Sequence, residues 1–493
     1  MEETSPRKLS EKRRWTFRVM ALIVGLLPLV LFESVLVLGG WGTPDPTEDP
    51  FAGFGEVEPL FELNEDGHAY EILSQSRKEW FYPQTFPSTK TANTYRIFVL
   101  GGSTVAGRPY TVETAFSAWL QLFLQYADPS KTWEVINCGG VSYASYRLVP
   151  ILEEVIESYS PDLVILYTGQ NEFLEDRTYA HVKNLPAAVT KPYALASQLR
   201  LFNVIRSAYW KVTGKVSAES IMETRAILPA EVDALLEHEG GMEHYYRDAD
   251  WHAGVLDHYR FNLDRMCATA KKAGVPVILM NPAENLRDQP PFKSEHRAGL
   301  SETEQQQFEK FLTDGLAEDA LKIDPLYADA HFQHAKKLER LGELEGARAA
   351  YIRAKDEDVC PLRMLESMHA IVNEVAMRHQ VDLLDVQKET QAVSSGGIPG
   401  NSEFLDHVHP TIGGHQFFAK LLFEKMDAMG DVTIPSENWM AEVGPTLQSH
   451  AQSLGADYFR QGDIRLENLR QWARGRSTLE PPVESKRKKP SNP

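Results

Sequence analysis

The stretch RIFVLGG (96–102) is an apolar run too short for a helix, and it ends in two glycines. Such a run predicts a strand buried on both faces, with a turn after it. Working outward, TAFSAWLQLFLQYA (114–127) has helical spacing of its apolar residues, and WEVINCGG (133–140) is a second short strand with a glycine exit. RLVPILEEVIESYS (147–160) reads as a helix and PDLVILYTG (161–169) as a third strand. VLDHYRFNLDRMCATAKKAG (255–274) is a helix closed by Gly274, and VPVILMNP (275–282) is a fourth strand. A helix near 363–379 leads to the fifth strand, VDLLDV (381–386), and the helix IGGHQFFAKLLFEKM (412–426) closes the series. Strands alternating with helices predict an α/β fold, a parallel sheet covered on both faces. Functional loops in such a sheet lie at the carboxyl ends of the strands.

The chain has 493 residues and a net charge of −18. Residues 1–18 carry six bases against three acids (+3) and residues 474–493 six against two (+4), so residues 19–473 hold −25. That balance excludes broad nucleic-acid binding, which needs a basic footprint. Three cysteines (Cys138, Cys267, Cys360) exclude a disulfide-stapled scaffold. Residues 19–40, VMALIVGLLPLVLFESVLVLGG, have the length of a bilayer-spanning helix. Six bases precede this run. After it, no Lys or Arg occurs before Arg77, whereas Asp45, Glu48, Asp49, Glu56 and Glu58 accumulate. The positive-inside rule then predicts an uncleaved signal anchor with a cytoplasmic basic tail (1–18) and the remainder periplasmic or extracellular. A cleaved signal peptide fits less well, because LVLGGWGTP offers a poor exit site. Glu33 and Pro28 interrupt the apolar run, and a carboxylate there needs a proton, a partner or the interface.

Residues 41–94 form a linker and lead-in, Pro-, Gly- and acid-rich over 42–60, and the α/β domain spans 95–427. Two insertions interrupt it. Residues 176–250 are polar and charged, with no role assigned. Residues 303–361 are helical, and Ala335, Ala347 and Ala354 stand at the small positions of a tetratricopeptide-like repeat, with Gly342 at its turn and Tyr351 at its aromatic position. An ordinary helical hairpin accounts for them equally, and as a repeat the segment is a candidate site for a protein partner. Residues 428–473 predict C-terminal helices, including a pair around Gly462, and 474–493 has too little apolar content to fold.

The glycine turn GGSTVAGRP (101–109) is not a P-loop, because Arg108-Pro109 stands where Lys-Ser/Thr is required. It is not a dinucleotide loop either, since Ser103 replaces the second glycine, nor a nucleophile elbow, since Val105 replaces glycine. What remains is Ser103 at the end of the first strand. INCGGVSYAS (136–145) follows the second strand, GQNEF (169–173) the third, and DHVHP (406–410) lies past the last. A serine nucleophile needs a base, supplied by His409, and the base needs an orienting acceptor, supplied by Asp406. Backbone N–H groups of Ser103 and the 140–142 turn, with the Asn171 amide, are candidate oxyanion donors. Arg108, Arg147 and Arg177 are candidate contacts for an anionic substrate. His407, His409 and His415 lack the carboxylate–cysteine company of a metal site, so no metal or cofactor is expected.

With Ser103, the 140–142 turn, Asn171 and the Asp406/His409 pair in this order, the sequence resembles the SGNH hydrolases, the GDSL-like esterase superfamily, over roughly 95–175, 252–282 and 363–427. The resemblance implies a three-layer, flavodoxin-like fold and ester hydrolysis through an acyl-enzyme. Two departures stand out. Gly102 replaces the Asp that commonly precedes the nucleophile, and the family's spacing puts the oxyanion glycine on Ser142 rather than Gly140; both positions are carried, Gly140 slightly ahead on residue type, with serine admissible if its φ is not positive. The expected function is a membrane-anchored serine esterase acting on O-acyl groups of envelope carbohydrate. The alternatives are an O-acyltransferase using the same acyl-enzyme and a catalytically idle binding protein.

Overall fold

The structure is a computed structural model that describes residues 11–39, 41, 52–54, 58–175, 200–201, 204–205, 226–228, 232–237 and 240–473. Residues 1–10 of the basic tail, most of the 42–60 linker, most of the 176–250 insertion with Arg177, and the 474–493 tail lie outside the described residues. The chain divides into two units, residues 1–53 with 178–227, and residues 54–177 with 228–493. In the first, a 29-residue helix, Glu11–Gly39, contains most of the apolar run expected at 19–40. Among the described residues no helix is long and apolar enough to cross a membrane; within this helix the described side chains are Trp15, Met20 and residues 27–39. Glu33 has partners: its carboxylate accepts the backbone N–H groups of Arg200 at 2.7 Å and Leu201 at 2.8 Å.

The second unit is built on strands β1 (Thr94–Gly101), β2 (Thr132–Gly139), β3 (Leu163–Tyr167), β4 (Val277–Asn281) and β5 (Asp382–Asp385). They form one sheet in the order β5-β4-β3-β1-β2, with every pairing parallel. This is the flavodoxin-like order, in which the chain reverses direction across the sheet between β1 and β3. Side chains alternate across a strand. Ile97, Val99, Leu163, Ile165, Tyr167, Ile278 and Met280 therefore face one layer. There they meet Phe116, Trp119 and Phe123 of α2 (Phe116–Ala127) and Phe418, Leu422 and Phe423 of α10 (Ile412–Met429). Phe98, Leu100, Val164, Leu166 and Leu279 point the other way and are buried too. Helices α3 (Ser145–Ser158), α4 (Ala249–Ala273) and α9 (Glu366–His379) pack against one another and contribute nothing to the first cluster.

The helical insertion consists of α5 (Glu302–Thr313), α6 (Ala317–Ile323), α7 (Ala328–Arg340) and α8 (Leu344–Asp356). Ala335, Ala347 and Ala354 are buried where α7 and α8 approach, beside Phe332 and Tyr351, and Gly342 takes the positive φ of +81° that the turn requires. Lys355 of α8 is buried against Glu284 at 2.7 Å and Glu366 at 2.9 Å, so the insertion is joined to the sheet edge by an ion-paired plug. The C-terminal pair is α11 (Trp439–Ser453) and α12 (Gly455–Ala473). Its break falls at Gly455, where φ is +73°, and not at Gly462 as expected from sequence. Gly462 lies inside α12, where a Cβ would stand 2.0 Å from the Tyr110 ring.

Ser103 opens a one-turn helix, α1 (Ser103–Ala106), laid directly on β2. A Cβ built on Gly139 would meet the Ala106 backbone nitrogen at 2.2 Å. Asn137 completes the contact, its amide donating to the Val105 carbonyl at 2.6 Å. Gly139→Ala is expected to force α1 off the strand and to destabilise the protein by about 1–3 kcal/mol, the usual cost of overpacking a core. Urea unfolding checks this, and an unchanged midpoint contradicts the close packing.

Candidate active site

The carboxyl ends of β1 and β3, where the strand order reverses, hold the predicted residues. Ser103 begins α1 immediately after β1 and is half-buried. Its Oγ lies 2.7 Å from His409 Nε2, and His409 Nδ1 lies 2.7 Å from Asp406 Oδ2. The Asp-x-x-His spacing has a local cause. Leu405 N–H donates to the His409 carbonyl at 2.8 Å, closing a tight turn. Asp406 Oδ1 accepts the Val408 and His409 N–H groups at 3.0 and 2.9 Å, an Asx-type turn. One carboxylate oxygen thus holds the turn and the other orients the imidazole. Burial opposes charge on Asp406, but His409, His407 and these hydrogen bonds hold its carboxyl well below the usual range. The helix that follows, α10, is capped by Thr411, whose side chain accepts the Gly414 N–H.

The oxyanion candidates separate. Gly140 N–H donates to the Gly101 carbonyl at 3.0 Å and is thereby occupied. Gly140 is a packing residue, since a Cβ there would meet the Tyr143 ring at 2.6 Å and Phe81 at 2.8 Å. Ser142 is third in a turn closed by Tyr143 N–H to the Gly140 carbonyl at 3.1 Å. Its φ is +63°, contrary to the condition set for a serine at this position. The left-handed conformation is the one a type II turn imposes on its third residue. Ser142 N–H has no acceptor among the described residues, nor does Ser103 N–H at the first helical position. The Asn171 amide is steered by one hydrogen bond, from Nδ2 to the Tyr143 carbonyl at 3.0 Å. It rests on Gly102, where a Cβ would lie 2.6 Å from that nitrogen, so the glycine leaves the space the amide occupies.

Several residues that support the site were not singled out from sequence. The buried Thr104 hydroxyl lies 3.3 Å from Gln170 Oε1 and 3.4 Å from the Val408 carbonyl, touching the loops of both partners of Ser103. Glu172, next to Asn171, is buried and accepts the Ser145 N–H at 2.8 Å and the Ser145 hydroxyl at 2.9 Å. It ties the Asn171 loop to the start of α3, just past the 140–143 turn. The signal for both was their adjacency to Ser103 and Asn171.

Arg147 does not serve as a substrate contact. It is buried with Glu175, Nε and Nη2 donating to that carboxylate at 2.8 and 2.7 Å, because the α3 face on which it lies points into the protein. Arg108 is half-buried and follows α1. His415 is a structural acceptor, its Nδ1 receiving the Phe116 N–H at 3.2 Å, and burial pushes its imidazole down to about 3. Burial likewise brings His407 to about 4. Among the described residues the one cluster with metal-ligand geometry is Glu284, Glu366 and His369. Lys355 already places its ammonium between the two carboxylates, which accounts for their convergence.

No family model and no curated protein matches the chain. Among solved structures it is similar to LAE5, an alpha/beta hydrolase enzyme from the metagenome of Lake Arreo, Spain, with 13% identity, 69% of this chain and 98% of that chain covered, and a TM-score of 0.31. It is also similar to Axe2, an acetylxylan esterase from Geobacillus stearothermophilus, with 13% identity, 69% and 96% covered, and a TM-score of 0.31. A likeness at these scores assigns no activity to this chain.

Burial raises the Glu172 carboxyl to about 7, against the lowering effect of Ser145 and His258. The folded state then holds a proton that the unfolded chain releases near the ordinary value. The corresponding stability is full below about 4.5 and is lost as pH rises through about 7. Glu172→Gln cannot ionise and is expected to gain stability relative to the parent across that window, by roughly 3 kcal/mol at most. Urea unfolding at a series of pH values measures the difference, and a flat difference contradicts it.

Proposed function

We propose that this chain is a serine esterase that hydrolyses ester bonds through an acyl-enzyme on Ser103. The observation that carries the reading is the unbroken chain from Ser103 Oγ through His409 to Asp406, with both links at 2.7 Å. As Ser103 Oγ bonds to the ester carbonyl carbon, its proton passes to His409 Nε2. Asp406 keeps the imidazole in the tautomer that accepts there and stabilises the imidazolium that forms. The carbonyl oxygen, now an oxyanion, is met by the N–H groups of Ser103, Ser142 and Asn171, which are fixed before the reaction begins. His409 then protonates the departing alcohol oxygen as the C–O bond breaks, leaving Ser103 acylated. Water attacks the acyl carbon and gives its proton to His409. Collapse releases the acid and returns a proton to Ser103.

The substrate class we infer is O-acylated carbohydrate of the cell envelope, with the catalytic unit held outside the cytoplasm by the 19–40 segment. Support for that placement is the apolar length of the segment and the change from six flanking bases to a run of acids.

A fluorophosphonate probe applied to the purified chain is expected to label Ser103 in the parent and not in Ser103→Ala or His409→Ala. Asp406→Asn is expected to retain the serine but lose activity toward a short-chain aryl ester by about 10⁴-fold, the cost of a misoriented imidazole. An unlabelled parent, under conditions that label a control esterase, supports an idle binding protein instead. Gly102→Ala, which displaces the Asn171 amide, is expected to lower kcat by about 10²–10³-fold, as loss of one oxyanion donor does. A steady-state assay in which kcat is unchanged removes Asn171 from the oxyanion site.

A further inference from the structure

Two residues past the helix that Ser103 opens stands Arg108, whose guanidinium has no hydrogen-bond partner among the described residues. Arg108 N–H donates to the Ser103 carbonyl at 3.1 Å, so its side chain departs one helical turn from the nucleophile. The residue is half-buried, and Nε is fully enclosed without a hydrogen-bond partner. No carboxylate or carbonyl among the described residues accepts from its guanidinium. In a chain with 69 acids against 51 bases this is unexpected, because an enclosed, unsatisfied donor on a charged group costs free energy unless something answers it. Arg265 and Arg363 also enclose one nitrogen without a partner, but each bonds through another, to Glu153 at 2.9 Å and to the Asn285 carbonyl at 3.0 Å, and Arg147 meets Glu175 at 2.7 Å.

Two more arginines arrive on α12. Arg465 Nε donates to the Pro109 carbonyl at 2.6 Å, next to Arg108. Arg470 donates from Nε and Nη2 to the Leu405 carbonyl at 3.3 and 3.1 Å, next to Asp406. Neither has a carboxylate partner among the described residues. Asp463, an acid on the same helix, is taken by the Tyr110 hydroxyl at 3.2 Å. Tyr110 seats on Gly462, where any Cβ would collide with it, so α12 is fitted to the loop after the nucleophile. The helix thus crosses both the Ser103 loop and the turn that carries His409. His409 hands its proton to the departing alcohol, so the alcohol part of a substrate leaves on the side of that turn.

We propose that Arg108, backed by Arg465 and Arg470 of α12, forms an anion subsite beside Ser103 that receives a carboxylate or phosphate borne on the alcohol part of the ester. This rests on the esterase reading and narrows it to acyl esters of acidic alcohols, such as acidic glycans. A guanidinium suits that task because its fork of donors matches the oxygens of either anion.

The test compares kcat/KM of the full chain for para-acetoxybenzoate, para-acetoxyphenyl phosphate and the neutral para-acetoxybenzamide. At least one anionic ester is expected to be favoured over the neutral one by about tenfold or more at low salt, with the ratio falling as salt screens the contact. Whichever anion gives the larger ratio separates an acidic sugar from a phosphorylated alcohol. In Arg108→Ala the ratio is expected to collapse toward one, and in Arg108→Lys to recover in part. A parental ratio near one, a ratio insensitive to salt, or a ratio unchanged in Arg108→Ala overturns the subsite and leaves the esterase reading standing. The parental salt series decides the matter even if the variants misfold. If none of the three esters is turned over and Ser103 takes no fluorophosphonate, the esterase reading fails and the subsite with it.

Discussion

A single hydrogen-bonded chain, carboxylate to imidazole to hydroxyl, joins residues 306 positions apart in sequence, and most of what the fold does is hold its two ends together. Ser103 is set by the glycines of β1 and β2, which let a one-turn helix lie on bare backbone. His409 is set by Asp406, whose two carboxylate oxygens divide the work of closing a turn and orienting a ring. Thr104 stands between those halves. Its hydroxyl lies within reach of the Val408 carbonyl, so the Ser103 helix and the histidine turn touch through a second polar contact. A short O–H···N contact of this kind fixes distance and tautomer together, and both are needed before a weak nucleophile becomes useful.

Around Ser142 and Asn171 the site depends on backbone conformation more than on side chains. Ser142 adopts a left-handed φ that most residues avoid, and its N–H has no acceptor among the described residues. Strain of that sort persists where surrounding contacts over-determine it. Here they are the Gly140–Tyr143 turn, the Tyr143 ring wedged beside Phe81 at 4.8 Å, and Glu172 gripping Ser145 beyond it. Further out, buried ion pairs attach neighbouring segments: Arg147 with Glu175, and Lys355 with Glu284. Such pairs add little net stability, but breaking one leaves a buried charge, so they fix geometry.

Much of this is legible in the sequence. Continuous apolar runs such as RIFVLGG and PDLVILYTG announce a parallel sheet because both faces of such strands are covered. Ser103, Asn171, Asp406 and His409 were visible because each sits just past a predicted strand or in a tight, recognisable turn. Gly140 misled because residue type suggested a flexible donor, whereas its N–H is consumed by Gly101 and its missing side chain makes room for Tyr143. Arg147 misled because its partner, Glu175, comes from another loop and reaches it only in the folded chain. The seating of Tyr110 on Gly462 joins positions far apart along the chain, and no local pattern reports such a contact. The same distance hides the arginines that α12 brings to the Pro109 and Leu405 carbonyls.

The most direct test of the central claim is to trap the intermediate. The full chain is mixed with an aryl acetate, quenched in acid within the first turnover, digested and mapped by mass spectrometry. An acetyl group on Ser103, absent in His409→Ala, is the expected result. Ester turnover with Ser103 unmodified, or with the acetyl group on another residue, contradicts the account.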